Sequence, residues 1–233
     1  MTDLSILRDL CLLNGIDLKG GHAGLYTSFF QTTLKWSCSI NITKNISPKR
    51  YFIENVLDPV LAHQSLVRAL GKIVFPIIDV GCGGGFAGIT FHIANEQASS
   101  LMLVDSSRKR ISFCKDVIRK LCLCKTTAIN NSFENTIECF PDNSYLLSRA
   151  TFSLANFLKT SLKHKTSAPL KIVSFETQQS LVGYFGIDKM VAATATQDNG
   201  SFNISKHDGK NYLICKYTIQ PDNINRFLVI VDL

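Results

Sequence analysis

Asp79, Gly81, Gly83 and Gly85 follow one another at every second position, between apolar Ile77-Ile78 and the run Phe86-Ala87-Gly88-Ile89. Glycines at that spacing let a backbone turn sharply from a strand into a helix and approach a ligand closely. A second acid, Asp105, ends the next apolar run, Leu101 to Val104, twenty residues after Gly85. A carboxylate there suits hydrogen bonds from ribose hydroxyls. Residues 83–88 also satisfy G-x-G-x-x-G, the pattern of dinucleotide sites, where a pyrophosphate rests on a helix N-terminus. Asp79 argues against that anion. S-adenosylmethionine has no phosphate but carries a cationic sulfonium and ammonium, which a carboxylate beside the loop suits directly or through water. The expected cofactor is therefore S-adenosylmethionine, with Asp79, Gly81, Gly83, Gly85, Phe86 and Asp105 as its contacts. The plain alternative is a tight strand-to-helix turn with no ligand.

Such a loop needs a sheet beneath it. Phe75 to Val80 is apolar but for Asp79 near its end, as expected of a strand buried on both faces. Ala87 to Ala94 has room for a short helix, and Ser100 to Asp105 makes the next strand. An amphipathic helix follows, with Ile111, Cys114, Val117, Ile118 and Leu121 on one stripe. Weaker strands are expected at 126–130, 145–149 and 170–175, a helix near 152–163, and a closing pair, 212–219 and 226–231, joined by Pro221-Asp222-Asn223. Upstream the pattern is helical. Leu4, Leu7, Leu10 and Cys11 share a face that stops near Asn14-Gly15, and a second helix spans 23–36. Ser47-Pro48 is a start signal, and Asp58-Pro59 either continues that helix or begins another ending near Gly71. The expected fold is α/β: a Rossmann-like sheet of the class I S-adenosylmethionine-dependent methyltransferase type over 72–233, with an N-terminal helical extension over 1–71.

Of 233 residues, 45% are hydrophobic and 18% charged, so the chain can bury a substantial core. The formal net charge of +7 is compatible with a polyanionic partner such as nucleic acid without requiring one. None of the eight cysteines forms a Cys-x-x-Cys pair, so no structural metal is expected. Without a secretory signal or membrane-spanning run, a reducing cytoplasm is the expected location.

The segments Asp79 to Ile89, Leu103 to Phe113 and Ser148-Arg149-Ala150 resemble the bacterial small-subunit ribosomal RNA guanine-N7 methyltransferases, also called glucose-inhibited division protein B. That family reads D-V-G-(S/T)-G-x-G-(F/L)-P-G, then D-S-x-x-K-R, then S-R-A. Lys35-Trp36, Asn41-Ile42-Thr43, Val56-Leu57-Asp58 and the strand from Asn225 extend the likeness from about residue 33 to the last strand. The departures are Cys82 for Ser or Thr, Ala87 for the loop proline, Asn55 for His, Pro59 for Ser, and Ser132 where many members have Arg. The largest falls at Val173 to Thr177, where Glu176 stands in place of a strand-ending L-K-G.

The resemblance implies methyl transfer to guanine N7 of 16S ribosomal RNA in the small ribosomal subunit, by a monomer. Arg149 becomes the catalytic-site candidate, holding guanine O6, a phosphate or the cofactor carboxylate; its ordinary alternative is an ion pair near a strand end. Ser106 either donates near the ribose or caps the next helix. Asn131 follows the third strand, where such folds contact adenine. Lys109 and Arg110 either meet RNA phosphate or stabilise the pocket, with a solvated helix face as the alternative. Trp36 packs the extension onto the fold or, less in keeping with its surroundings, stacks on a base. Two further readings stay open: a non-catalytic binding or assembly protein that keeps the fold, and a methyltransferase with another substrate.

Overall fold

The computed structural model describes residues 2–43, 47–96, 99–163, 170–190 and 201–233. Its centre is an eight-stranded sheet of β1 (Ile77–Val80), β2 (Leu101–Asp105), β3 (Thr126–Asn130), β4 (Tyr145–Arg149), β5 (Lys171–Glu176), β6 (Ser201–His207), β7 (Lys210–Ile219) and β8 (Ile224–Asp232). The order is β3-β2-β1-β4-β5-β8-β7-β6. The first five strands in that order run parallel, and the last three join antiparallel. Chain direction across the sheet reverses between β1 and β4, which opens a crevice at their carboxyl ends, the usual ligand position in such sheets.

Alternation along each strand divides the core in two. Ile77, Leu103, Leu147, Val173 and Leu228 face a layer that includes α1 (Asp3–Leu13), α2 (His22–Ser37), α3 (Pro48–Phe52), α4 (Asp58–Leu70), α5 (Phe86–Ala94) and α6 (Arg108–Lys120). Ile78, Val80, Leu146, Ile172 and Val229 face a smaller layer with α7 (Phe133–Thr136), α8 (Leu154–Lys163) and α9 (Gln178–Phe185). The helices of the extension thus share one apolar core with the sheet. Among the described residues no helix is long and apolar enough to cross a membrane.

Local signals account for most boundaries. Thr2 caps α1 through Ser5 N, and Asn14 closes it. The first strand starts at Ile77 rather than Phe75, because Pro76 has no N–H to give and Phe75 lies 44% exposed. Three elements were not expected: the single turn α7, capped by Ser132, α9, capped by a reciprocal Thr177–Ser180 pair, and β6, which extends the closing pair to three strands.

The helix that starts at Pro48 runs through Asp58-Pro59 without stopping, but it widens. Residues Ile53–Leu57 form a π-helical turn in which the Asp58 N–H reaches back to the Ile53 carbonyl. Pro59 has no N–H, so the carbonyls of Glu54 and Asn55 lose their helical partners. The first is taken by Arg149 Nη1 at 2.7 Å and the second by Thr90 Oγ1 at 2.9 Å. A helix defect therefore becomes a joint between the extension and the sheet.

Candidate functional site

The loop after β1 carries Gly81, Gly83 and Gly85 at φ of 63°, 57° and 67°, a region that costs residues with a Cβ strain. Gly81 has a second reason to be glycine: a Cβ there would overlap Thr151, whose hydroxyl donates to the Gly81 carbonyl at 2.7 Å. Nothing lies within 4 Å of where a Gly83 Cβ would stand, so the crest of the loop faces open space.

The two acids hold this loop from opposite sides. Asp79 is 1% exposed, and its Oδ2 accepts from the Gly88 N–H at 2.8 Å, tying β1 to α5. Burial pushes its carboxyl up to about 7, against the lowering effects of the Gly88 hydrogen bond and Arg149 and with a small push from Asp105. Asp79 thus meets the glycine loop through the Gly88 N–H, with its carboxyl buried beneath it. Asp105 Oδ2 accepts from Gly83 N and Oδ1 from Ser107 N, both at 2.8 Å. A carboxylate beside an open glycine crest fits a ligand that presents hydroxyl donors, because each oxygen has a second lone pair to offer.

Several expected contacts are placed differently. The Phe86 ring turns away from the crest into an aromatic cluster, 5.4 Å from Phe29 and 5.8 Å from Tyr51. Its role there is to support the loop from below, since burial at 6% exposure leaves no face for a ligand. The cap of α6 is Ser107, whose Oγ accepts from Arg110 N, and not Ser106; the Asp105–Ser107 bond sets the turn one residue later. The Ser106 carbonyl accepts from Asn130 Nδ2, which also bonds the Asp105 carbonyl and so ties the ends of β2 and β3 together. Asn131 follows at that edge, its side chain accepting from Ser132 N. Arg110 leans back to Asp105 Oδ2 at 3.6 Å, the pocket-stabilising alternative, while Lys109 is exposed. Trp36 donates to Asp116 Oδ2 at 2.8 Å and meets Phe113 edge-on, so it fastens α2 to α6.

At the carboxyl end of β4, Arg149 has 21% of its side chain exposed. Beyond its bond to the Glu54 carbonyl, Nη2 donates to Asn55 Oδ1 at 3.0 Å, and Nη1 lies 3.7 Å from Asp58 Oδ2. Asp58 also accepts from the Tyr217 hydroxyl at 2.7 Å. Burial holds the Asp58 carboxyl above its ordinary range even with Arg149 and Tyr217 beside it. These groups form one wall of a cavity of about 590 Å³, completed by Thr151, Phe175, Glu176 and Arg226 among others. Its size suits a nucleobase. Glu176 accepts from Ser174 Oγ at 2.7 Å, so the acid in place of the L-K-G lysine is held by a hydroxyl in that bond.

Four contributors escaped the sequence reading as site residues: Thr151, Gly88, Asp58 and Tyr217. The third glycine of the pattern signals close helix–strand packing and marks Gly88. Thr151 and Tyr217 carry no such local signal, because their partners lie far away in the chain.

The model of the family GidB, rRNA small subunit methyltransferase G, matches residues 24–180. A ribosomal RNA small subunit methyltransferase G of Desulforamulus reducens is 29% identical over 158 residues, which cover 66% of this chain and 64% of the relative. One of Glaesserella parasuis is 34% identical over 120 residues, covering 52% of this chain and 55% of the relative. The chain therefore spans rather less than two thirds of the length of these relatives. Among solved structures, WbdD superposes with a TM-score of 0.50 at 11% identity, over 85% of this chain and 46% of that one, a likeness of fold alone. With the family model covering the five parallel strands, the glycine loop and Arg149, the chain belongs to the GidB family, described as rRNA small subunit methyltransferase G.

Proposed function

We propose that this protein transfers the methyl group of S-adenosylmethionine to guanine N7 of 16S RNA in the small ribosomal subunit. The observation that carries the reading is an adjacency. Thr151 lines the 590 Å³ cavity of Arg149, and its hydroxyl donates to the Gly81 carbonyl of the glycine loop that Asp105 holds. When bound, the sulfonium supplies an electrophilic methyl group. Guanine N7 carries a lone pair and no proton, so the protein has to align and desolvate the reactants and needs no general base.

In this reading Asp105 and the backbone at Gly83 hold the ribose end, with Asn131 at the adenine side. Asp79 fixes the loop and adds a negative charge behind it. Arg149 has five donors; two make hydrogen bonds to Glu54 and Asn55 and the guanidinium also pairs with Asp58, so it would meet phosphate or base through its remaining donors. Lys109 and the net charge of +7 favour an RNA surface. Eight cysteines with no Cys-x-x-Cys pair among them suit a reducing compartment, the cytoplasm.

A second reading, a protein that binds but does not transfer, has one observation in its favour: Arg149 is already engaged by Glu54, Asn55 and Asp58. The test is transfer of labelled methyl to small subunits, and to their protein-free RNA, from cells lacking this protein. Label at guanine N7 supports methylation. Cofactor binding without label supports the second reading.

A further inference from the structure

Asn55 is one of the departures from the family pattern, and the structure gives it an unusual position. It lies in the π-helical turn, 4% exposed, in the wall of the cavity. The guanidinium of Arg149 can only donate, so the Asn55 atom 3.0 Å from Nη2 must be the amide oxygen. The orientation of the amide is thereby settled. Its other end, Nδ2, is buried and finds no hydrogen-bond partner among the described residues.

A buried amide nitrogen without an acceptor is uncommon in folded proteins and asks for a reason. The other polar groups of this wall are engaged: Asp58 by Tyr217 and Arg149, and the Asn55 carbonyl by Thr90. What is left over is one neutral donor, buried on a residue that an arginine holds by its other end and that lines a space large enough for a base. Neutrality matters. A donor of this kind rewards a carbonyl oxygen and is poorly matched to an exocyclic amine, so it separates guanine O6 from adenine N6 without attracting phosphate.

We propose that Asn55 is a specificity-determining residue, its Nδ2–H donating to O6 of the purine whose N7 is methylated, with Arg149 positioning the amide. The inference rests on the methyltransferase reading above. It also gives the His-to-Asn departure a function: a single neutral donor with a fixed direction.

The test is a two-by-two comparison of kcat/KM. Wild type and N55D are assayed on small-subunit RNA carrying either guanosine or 2-aminopurine riboside, which lacks O6, at the methylated position. Asp keeps an oxygen for Arg149 and removes the donor. Wild type is expected to prefer guanosine by tenfold or more, and N55D to lose most of that preference. A slowing of both substrates by the same factor would mean that Asn55 is structural, and would overturn the proposal. Should N55D fail to fold, the wild-type arm still decides: equal rates on the two bases overturn it. Absence of any transfer by wild type to the guanosine RNA removes the underlying methyltransferase reading, and this inference with it.

Discussion

Gly88 is bound to Asp79 twice over: its N–H donates to Oδ2 at 2.8 Å, and a Cβ at position 88 would stand 2.8 Å from both Asp79 Cβ and Oδ2. The helix after the glycine loop can sit this close to β1 only because residue 88 has no side chain. Asp79 Cβ belongs to the central strand and cannot give way, and Leu103 Cδ2 closes the space at 2.9 Å. Gly88→Ala should therefore destabilise by ~1–3 kcal/mol through overpacking. A urea midpoint unchanged from wild type would count against the fit described.

Asp79 also sets a pH dependence. Unfolded, its carboxyl releases a proton near ~4; folded, it holds the proton up to about 7. Between those values the native state binds more protons, so stability falls as pH rises and levels off above the folded value. The full contribution of this one group is of order 4 kcal/mol, and Asp58, also raised by burial, adds with the same sign. Asp79→Asn keeps an oxygen for Gly88 and removes the charge. It should flatten denaturation midpoints between pH 5 and 8 and exceed wild type at the alkaline end.

The same substitution separates charge from shape in cofactor binding. Asp79→Asn should weaken S-adenosylmethionine more than S-adenosylhomocysteine, because only the former carries the sulfonium charge. Calorimetry with both compounds reads this directly. Equal losses would place Asp79 in loop architecture alone.

Asp105 holds two backbone N–H groups, and Asn has only one acceptor oxygen to offer them. Asp105→Asn should cost about tenfold or more in S-adenosylhomocysteine affinity, in line with ~1.5–3 kcal/mol for a hydrogen bond to a charged group. Arg110→Ala removes only a half-exposed partner at 3.6 Å and should change stability by less than ~1 kcal/mol. An equal effect of the two substitutions on affinity would put the ribose contact elsewhere.

Arg149→Lys tests the joint at the widened helix. A lysine cannot serve the Glu54 carbonyl and Asn55 Oδ1 together as the planar fork does. Methyl transfer should fall at least ~10-fold, equivalent to 1.4 kcal/mol, with the far-ultraviolet spectrum unchanged. Retention of full activity would remove Arg149 from the site.

The parts of this fold that were legible in the chain are those written locally. The β1–loop–β2–α6 unit declared itself through a doubly buried strand, alternating glycines, a terminal acid and an amphipathic stripe, and all four stand where expected within a few residues. The edge strand β6 was missed because its polar residues alternate with only Phe202 and Ile204, and it pairs with β7 alone. Helix α9 is short and buries only Leu181 and Phe185.

The site was legible to the same extent. Asp105 was found with its loop, but the choice between Ser106 and Ser107 as cap depended on a carboxylate reaching over its own turn. Asp58-Pro59 marked a disturbance in the helix. That it became a π-helical turn rather than a break depends in part on Arg149 and Thr90, which donate to the released carbonyls from 95 and 35 residues away. Pairings at such separations leave no periodic trace.

One consequence follows from the place of β8. β8, which follows the other seven described strands in the chain, lies inside the sheet, between β5 and β7. Until Ile224–Asp232 has left the ribosome, the parallel half ends in an open edge at β5, and the hairpin of β6 and β7 has nothing to dock on. Closure of the sheet therefore waits on Ile224–Asp232, and a nascent chain stalled before residue 224 should be held by chaperones.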